Sequence, residues 1–175
     1  MKHRGSIPVL RVPAPCWLSR PIFWSLFAIL LLRANPLLGQ QLTIQTEGGK
    51  PTVLARADIE ALPHVKVATT GSSVIFEGVS LRAVLERAGV GFGETLRGKR
   101  LASCLLVEAA DGYRVVIALP ELDPAFTDKQ VVLAFLKDGK PLDEKEGPYR
   151  IVIPDEKRMA RWVRQVTTLK IVDVQ

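Results

Sequence analysis

A chain of 175 residues that is 47% hydrophobic and 24% charged has the length and composition of one globular domain with a buried core, and it carries no low-complexity tract or internal repeat. Its formal charge of +6 suggests a nucleic-acid partner until the charges are located: Lys2, Arg4, Arg11, Arg20 and Arg33 all precede residue 40, where no acid occurs. Taking those five from the 24 basic residues leaves 19 against 18 acidic ones, without the basic stripe that a phosphate backbone requires, so nucleic acid is excluded as a partner.

Residues 1–39 read as an export signal, with a basic front, the apolar run Ile22 to Leu32, then Pro36 and the small Gly39. The run is eleven residues long before Arg33, Asn35 and Pro36 interrupt it, against the about 20 that a spanning helix needs. Cleavage near Gly39/Gln40 is expected, giving a mature chain that is periplasmic or secreted, with an uncleaved N-terminal anchor as the alternative. Arg4, Arg11 and Arg20 are isolated, so the front lacks the paired arginines of the route that exports folded proteins. Cys16 leaves with the signal, and Cys104 alone remains, which rules out an internal disulfide.

From Gln41 to Thr46 the residues alternate as a strand, and Glu47 to Pro51 supply a turn. A short strand over 52–55 leads into a helix over 56–62 that Pro63 stops. Two strands follow around Gly71-Ser-Ser73, over 65–69 and 74–77. Ser80 then caps an amphipathic helix in which Leu81, Val84, Leu85 and Ala88 recur at helical spacing up to Gly89. After a Gly-rich connection over 91–100, Leu101 to Leu119 form two apolar runs around Asp111-Gly112, a hairpin signal. A two-residue loop there sets Ala110 opposite Tyr113, Val107 opposite Val116 and Cys104 opposite Leu119. Both faces are then apolar, predicting a central hairpin covered on both sides. Residues 120–126 read as a turn or 3₁₀ segment, 131–136 as a buried strand, 147–154 as a strand between prolines, 157–162 as a short basic helix and 166–174 as the last strand. Short strands with brief helices outside strict βα alternation predict an α+β fold.

Several motifs stand in a telling order: Phe76-Glu-Gly-Val-Ser-Leu-Arg-Ala-Val-Leu85, the Asp111-Gly112-Tyr113 hairpin, Leu133-Ala-Phe135 before Asp138-Gly-Lys-Pro-Leu142, Gly147-Pro-Tyr-Arg150 before Ile153-Pro154, and Arg161-Trp-Val163 before a terminal strand. The pattern resembles the molybdopterin-binding domain of sulfite oxidases and related oxidoreductases over residues 41–174. The resemblance implies a mixed, mainly antiparallel sheet with short helices, a small-molecule or protein redox partner, one cysteine thiolate on molybdenum, and basic side chains on the pterin phosphate. Arg150 and Arg161, with Arg114 on the hairpin, match the basic positions, solvated surface charge being the plainer reading. Cys104 is the only candidate for the metal. Counted from the hairpin, the ligand position that the resemblance implies falls nearer Leu106 or Val107, so Cys104 is better read as a small buried hydrophobe.

Glu108 lies between apolar neighbours and marks either a cleft or the point where the strand meets water. Trp162 reads as a core anchor. His64 has no histidine partner, and Ser72, Ser73 and Ser103 have no base at useful spacing, so metal clusters and hydrolytic triads gain no support. Two readings stand side by side: a molybdopterin oxidoreductase, or an exported binding module that keeps the fold without the metal.

Overall fold

The computed structural model describes residues 40–46, 48–69 and 71–174; the export signal expected over 1–39 lies outside them. Among the described residues ten strands form two sheets: β1 (Gln41–Gln45), β2 (Thr52–Ala55), β3 (His64–Ala68), β4 (Ile75–Ser80), β5 (Cys104–Ala109), β6 (Arg114–Ala118), β7 (Val132–Lys137), β8 (Lys140–Pro141), β9 (Arg150–Val152) and β10 (Val166–Val172). The first sheet runs β2-β1-β10-β5-β6, and the second runs β3-β4-β7-β8 with β9 also on β7. Among the described residues β1 and β10 pair in parallel and the other pairings are antiparallel. This is the α+β, mainly antiparallel architecture expected.

Alternation along β1, β5 and β6 sends every second side chain to one core, while β9 and the first four residues of β7 are buried throughout. Leu42 and Ile44 of β1, Leu105 and Val107 of β5, Ile117 of β6 and Leu169 of β10 meet Val79 of β4 and Leu133 of β7 in a single cluster. Two helices close it. In α1 (Arg56–Glu60) the Asp58 carboxylate accepts the Ala55 N–H at 3.1 Å and Ile59 is buried. In α2 (Leu81–Arg87) the core side is Leu81, Val84 and Leu85, and Gly89, at φ +90°, ends the helix where a side chain would be strained. The Ser80 hydroxyl, expected as the cap, makes no capping bond; the Leu81 N–H instead donates to the Val131 carbonyl at 2.9 Å, so the helix starts on a tertiary contact.

The hairpin turns at Asp111-Gly112, but in a different register from the one expected. Ala109 donates to the Tyr113 carbonyl at 2.9 Å and Gly112 donates to the Ala109 carbonyl at 3.1 Å, leaving the three-residue loop Ala110-Asp111-Gly112 with Gly112 at φ +84°. A type I turn followed by a left-handed glycine is the other common way to close a hairpin, and Asp111 Oδ1 reinforces it by accepting the Tyr113 N–H. Val107 therefore pairs with Val115, Leu106 with Val116 and Cys104 with Ala118. The one-residue shift turns β6 over. Val115 and Ile117 face the core, and Val116 is 54% exposed. The hairpin is consequently one-sided, with β6 on the sheet edge rather than covered on both faces.

The basic helix expected over 157–162 is a single 3₁₀ turn, Met159–Arg161, and the strand expected over 147–154 pairs only over Arg150–Val152. In the second sheet Gly78 sits at a register shift against β7, where a Cβ would run into the Leu133 carbonyl and stand 2.6 Å from the Ala134 Cα.

Candidate functional site

Three segments meet at the tip of the hairpin around an open cleft of about 380 Å³. One wall is the hairpin itself, through Ala109, Asp111 and Tyr113. The second carries Glu146 and Arg150, and the third runs from Met159 to Arg164. The Tyr113 hydroxyl donates to the Ala160 carbonyl at 2.8 Å, fastening the first wall to the third.

Arg150 is the centre of this site. β9 places it against β7, opposite Ala134, and it is only 9% exposed. Its guanidinium lies 5.2 Å from the Phe76 ring centroid and 5.6 Å from that of Trp162, and Nη1 donates to the Glu146 carboxylate. Stacking on two rings is how a planar cation tolerates burial. Burial holds its pKa below the usual arginine value, Glu146 opposes that shift, and the positive charge of Arg164 adds to it. Arg150 Nε has no hydrogen-bond partner. A buried N–H left unpaired costs about 1–3 kcal/mol, so it marks a position where an acceptor belongs. Arg164, exposed at the mouth of the cleft, has no hydrogen bond or ion pair among the described residues. An orphaned buried donor beside an unpaired cation suits an anion.

The other predicted cations lie elsewhere. Arg114 is on the outer face of the hairpin, where it pairs with Glu108 at 3.1 Å. Arg161 lies beside the cleft but turns its guanidinium to Glu156 and Glu121. Glu108 thus marks the face of β5 that meets water. Trp162 is a core anchor as expected, 6% exposed with Nε1 donating to the Ile153 carbonyl, and it also lines the cleft. Arg164 escaped notice in the sequence, and Tyr113 was read there only as part of the hairpin. The only cue was an arginine two residues past Trp162, and nothing local says that it faces Arg150.

Cys104, half-buried, is the free cysteine among the described residues. It begins β5, whereas the cleft is lined by Ala109 at the other end, roughly 16 Å away at about 3.3 Å per residue. It also points to the opposite face, shared with Leu106 and Glu108. The described residues contain no group of three or more His, Cys, Asp and Glu placed to hold a metal. The arginines of the cleft suit the phosphate end of a molybdopterin, and Cys104, at the other end and on the other face of β5, is not placed to reach a group bound there. A second cleft of about 280 Å³, between β4 and the segment from Leu122 to Val132, has its cations already neutralised: Arg82 pairs with Glu86 and Asp123, and Lys129 with Glu121.

Two mainly antiparallel sheets with a cleft lined by two arginines at a hairpin tip define an α+β domain. The chain belongs to the family described as oxidoreductase molybdopterin binding domain, which matches residues 39–175. No curated protein matches it. Among solved structures it is similar to the sulfane dehydrogenase SoxCD from Paracoccus pantotrophus, with a TM-score of 0.59 and 21% identity over 77% of this chain, a likeness of fold. The match spans 38% of the SoxCD chain. No helix among the described residues is long and apolar enough to cross a membrane.

Proposed function

We propose that this chain is an exported binding module on the molybdopterin-domain fold, taking a phosphate-bearing ligand at the hairpin-tip cleft through Arg150 and Arg164 and holding no molybdenum through a thiolate. The observation that carries the reading is the separation of roles along β5: the only candidate thiolate, Cys104, begins the strand, while the unpartnered donors gather at its far end. Export is supported by the basic front and apolar run of residues 1–39. Its partner is a small molecule that the cleft can neutralise. A phosphorylated pterin without metal has that chemistry, and so does inorganic pyrophosphate, which serves as the probe.

Elemental analysis of the full chain recovered from its exported location tests the metal half of the reading. Molybdenum far below one atom per chain is expected, with Cys104→Ala unchanged. About one atom per chain that disappears in Cys104→Ala would make the protein a molybdopterin oxidoreductase and overturn the proposal. Calorimetric titration with pyrophosphate tests the other half. Saturable binding that Arg150→Lys weakens about tenfold or more supports it, since a point charge cannot reproduce the stacked planar donor.

A further inference from the structure

We infer that Gln165 is the positioning residue of this cleft, a side chain and strained backbone that hold Arg164 and the hairpin tip against the Arg150 wall; the inference rests on the anion-binding reading. Gln165 adopts φ +50°. A glutamine gains nothing locally from the left-handed region, which favours glycine and asparagine, so the conformation persists only because its surroundings impose it. Three hydrogen bonds do so. The Gln165 N–H donates to the Glu146 carbonyl at 3.0 Å, its own carbonyl accepts the Ala110 N–H at 3.0 Å, and its Nε2 donates to the Glu144 carbonyl at 2.6 Å. Next in the chain, the Val166 N–H donates to the Tyr149 carbonyl at 3.0 Å, beside Arg150.

One residue therefore joins all three walls. Its carbonyl holds the hairpin loop, its amide and side chain hold the segment leading to Arg150, and its backbone directs the preceding Arg164. Arg164 is long and unpaired among the described residues, so its aim follows from the backbone on either side of it: Val163, buried with its carbonyl accepting the Ile151 N–H at 2.8 Å, and Gln165. An extended residue at 165 would reverse that direction and release the loop.

Pyrophosphate titration of the full chain, as wild type, Arg164→Ala, Gln165→Val, Gln165→Asn and the Arg164→Ala/Gln165→Val double variant, separates this role from a merely structural one. Arg164→Ala should weaken binding about tenfold, the loss of one charge-assisted contact. Gln165→Val, whose β-branched side chain rejects positive φ, should lose about as much, and the double variant no more than either alone, because both remove the same contact. Gln165→Asn, which tolerates the left-handed backbone, should recover affinity to within about threefold of wild type. Gln165→Val binding like wild type, or losses that multiply in the double variant, would overturn the inference while leaving the anion site standing. Absence of saturable pyrophosphate binding in the wild type would overturn both. If Gln165→Val does not fold, the milder Gln165→Ala replaces it, with the same two outcomes deciding.

Discussion

His64 shows how a single exposed residue can make stability depend on pH. Its Nδ1 is 3.1 Å from Glu77 Oε1 and its Nε2 is 3.0 Å from the Glu60 carbonyl, two partners that only accept. Both ring nitrogens can be satisfied at once only as an imidazolium. The hydrogen bond to Glu77 raises the His64 pKa above its ordinary 6.5, and the same bond, with Lys66 beside it, lowers that of Glu77. Because the folded pKa exceeds the unfolded one, the stabilisation is fully present below about pH 6.5 and is lost as pH rises through the folded value. The urea midpoints of wild type and His64→Gln should differ more at pH 5.5 than at pH 8.5; an equal gap at both would show that the contacts do not discriminate the charged form. From the sequence His64 was legible only as a histidine without a histidine partner, since Glu77 reaches it through the pairing of β3 with β4. Arg150 is a similar case. Its match to the basic positions that the family resemblance implies hinted at a site, but its burial between Phe76 and Trp162 comes from three separate segments.

At the scale of elements, the hairpin displays both the reach and the limit of local chemistry. Asp-Gly between apolar runs names the turn, because glycine alone takes φ +84° without strain. It does not name the loop length, and two- and three-residue loops both place glycine there. The competing registers differ in which face of β6 is buried, and the choice goes to the one that hides Val115 and Ile117, leaving the Arg114–Glu108 pair in water. Gly112→Val should destabilise the fold by more than about 1 kcal/mol, read as a lower urea midpoint at unchanged slope; an unchanged midpoint would place the turn elsewhere. Gly78 is a different kind of glycine, needed for space rather than for φ. Gly78→Ala should lower stability by about 1–3 kcal/mol as its methyl forces β4 away from the Leu133 carbonyl. A neutral midpoint would mean that β4 and β7 stand further apart. Neither motif nor periodicity revealed that approach, because it belongs to a bulge between strands more than fifty residues apart.

Taken together, the described residues are two sheets sharing one core, with the chain pinned at Gln40. Fully buried Tyr149, whose hydroxyl pKa burial pushes up to about 12, donates to the Gln40 carbonyl at 3.4 Å, and Arg56 donates to the Gln40 side chain. The described core thus reaches back to the residue where processing is proposed. N-terminal sequencing of the exported protein is expected to begin near Gln40, and intact Met1 to Gln175 in the membrane fraction would favour the uncleaved anchor. The charge distribution agrees with that division, since the five basic residues ahead of residue 40 account for nearly all of the +6.

What the sequence determined alone was everything that repeats locally or in order: strand alternation, the stops at Pro63 and Gly89, the Asp-Gly turn, and a succession of motifs sufficient to identify the family later matched over residues 39–175. The tertiary structure decided which cations remain available. Arg114, Arg150 and Arg161 look alike in sequence and each pairs with a carboxylate, yet of the three it is Arg150 that keeps a buried, unpartnered Nε and lines the open cleft that Arg164 also lines. The physical reason is range. Turn and helix signals act over a few residues, whereas a cleft is made where residues 109–113, 146–150 and 159–164 converge, and that convergence depends on strand register and on Gln165, set by the core as a whole.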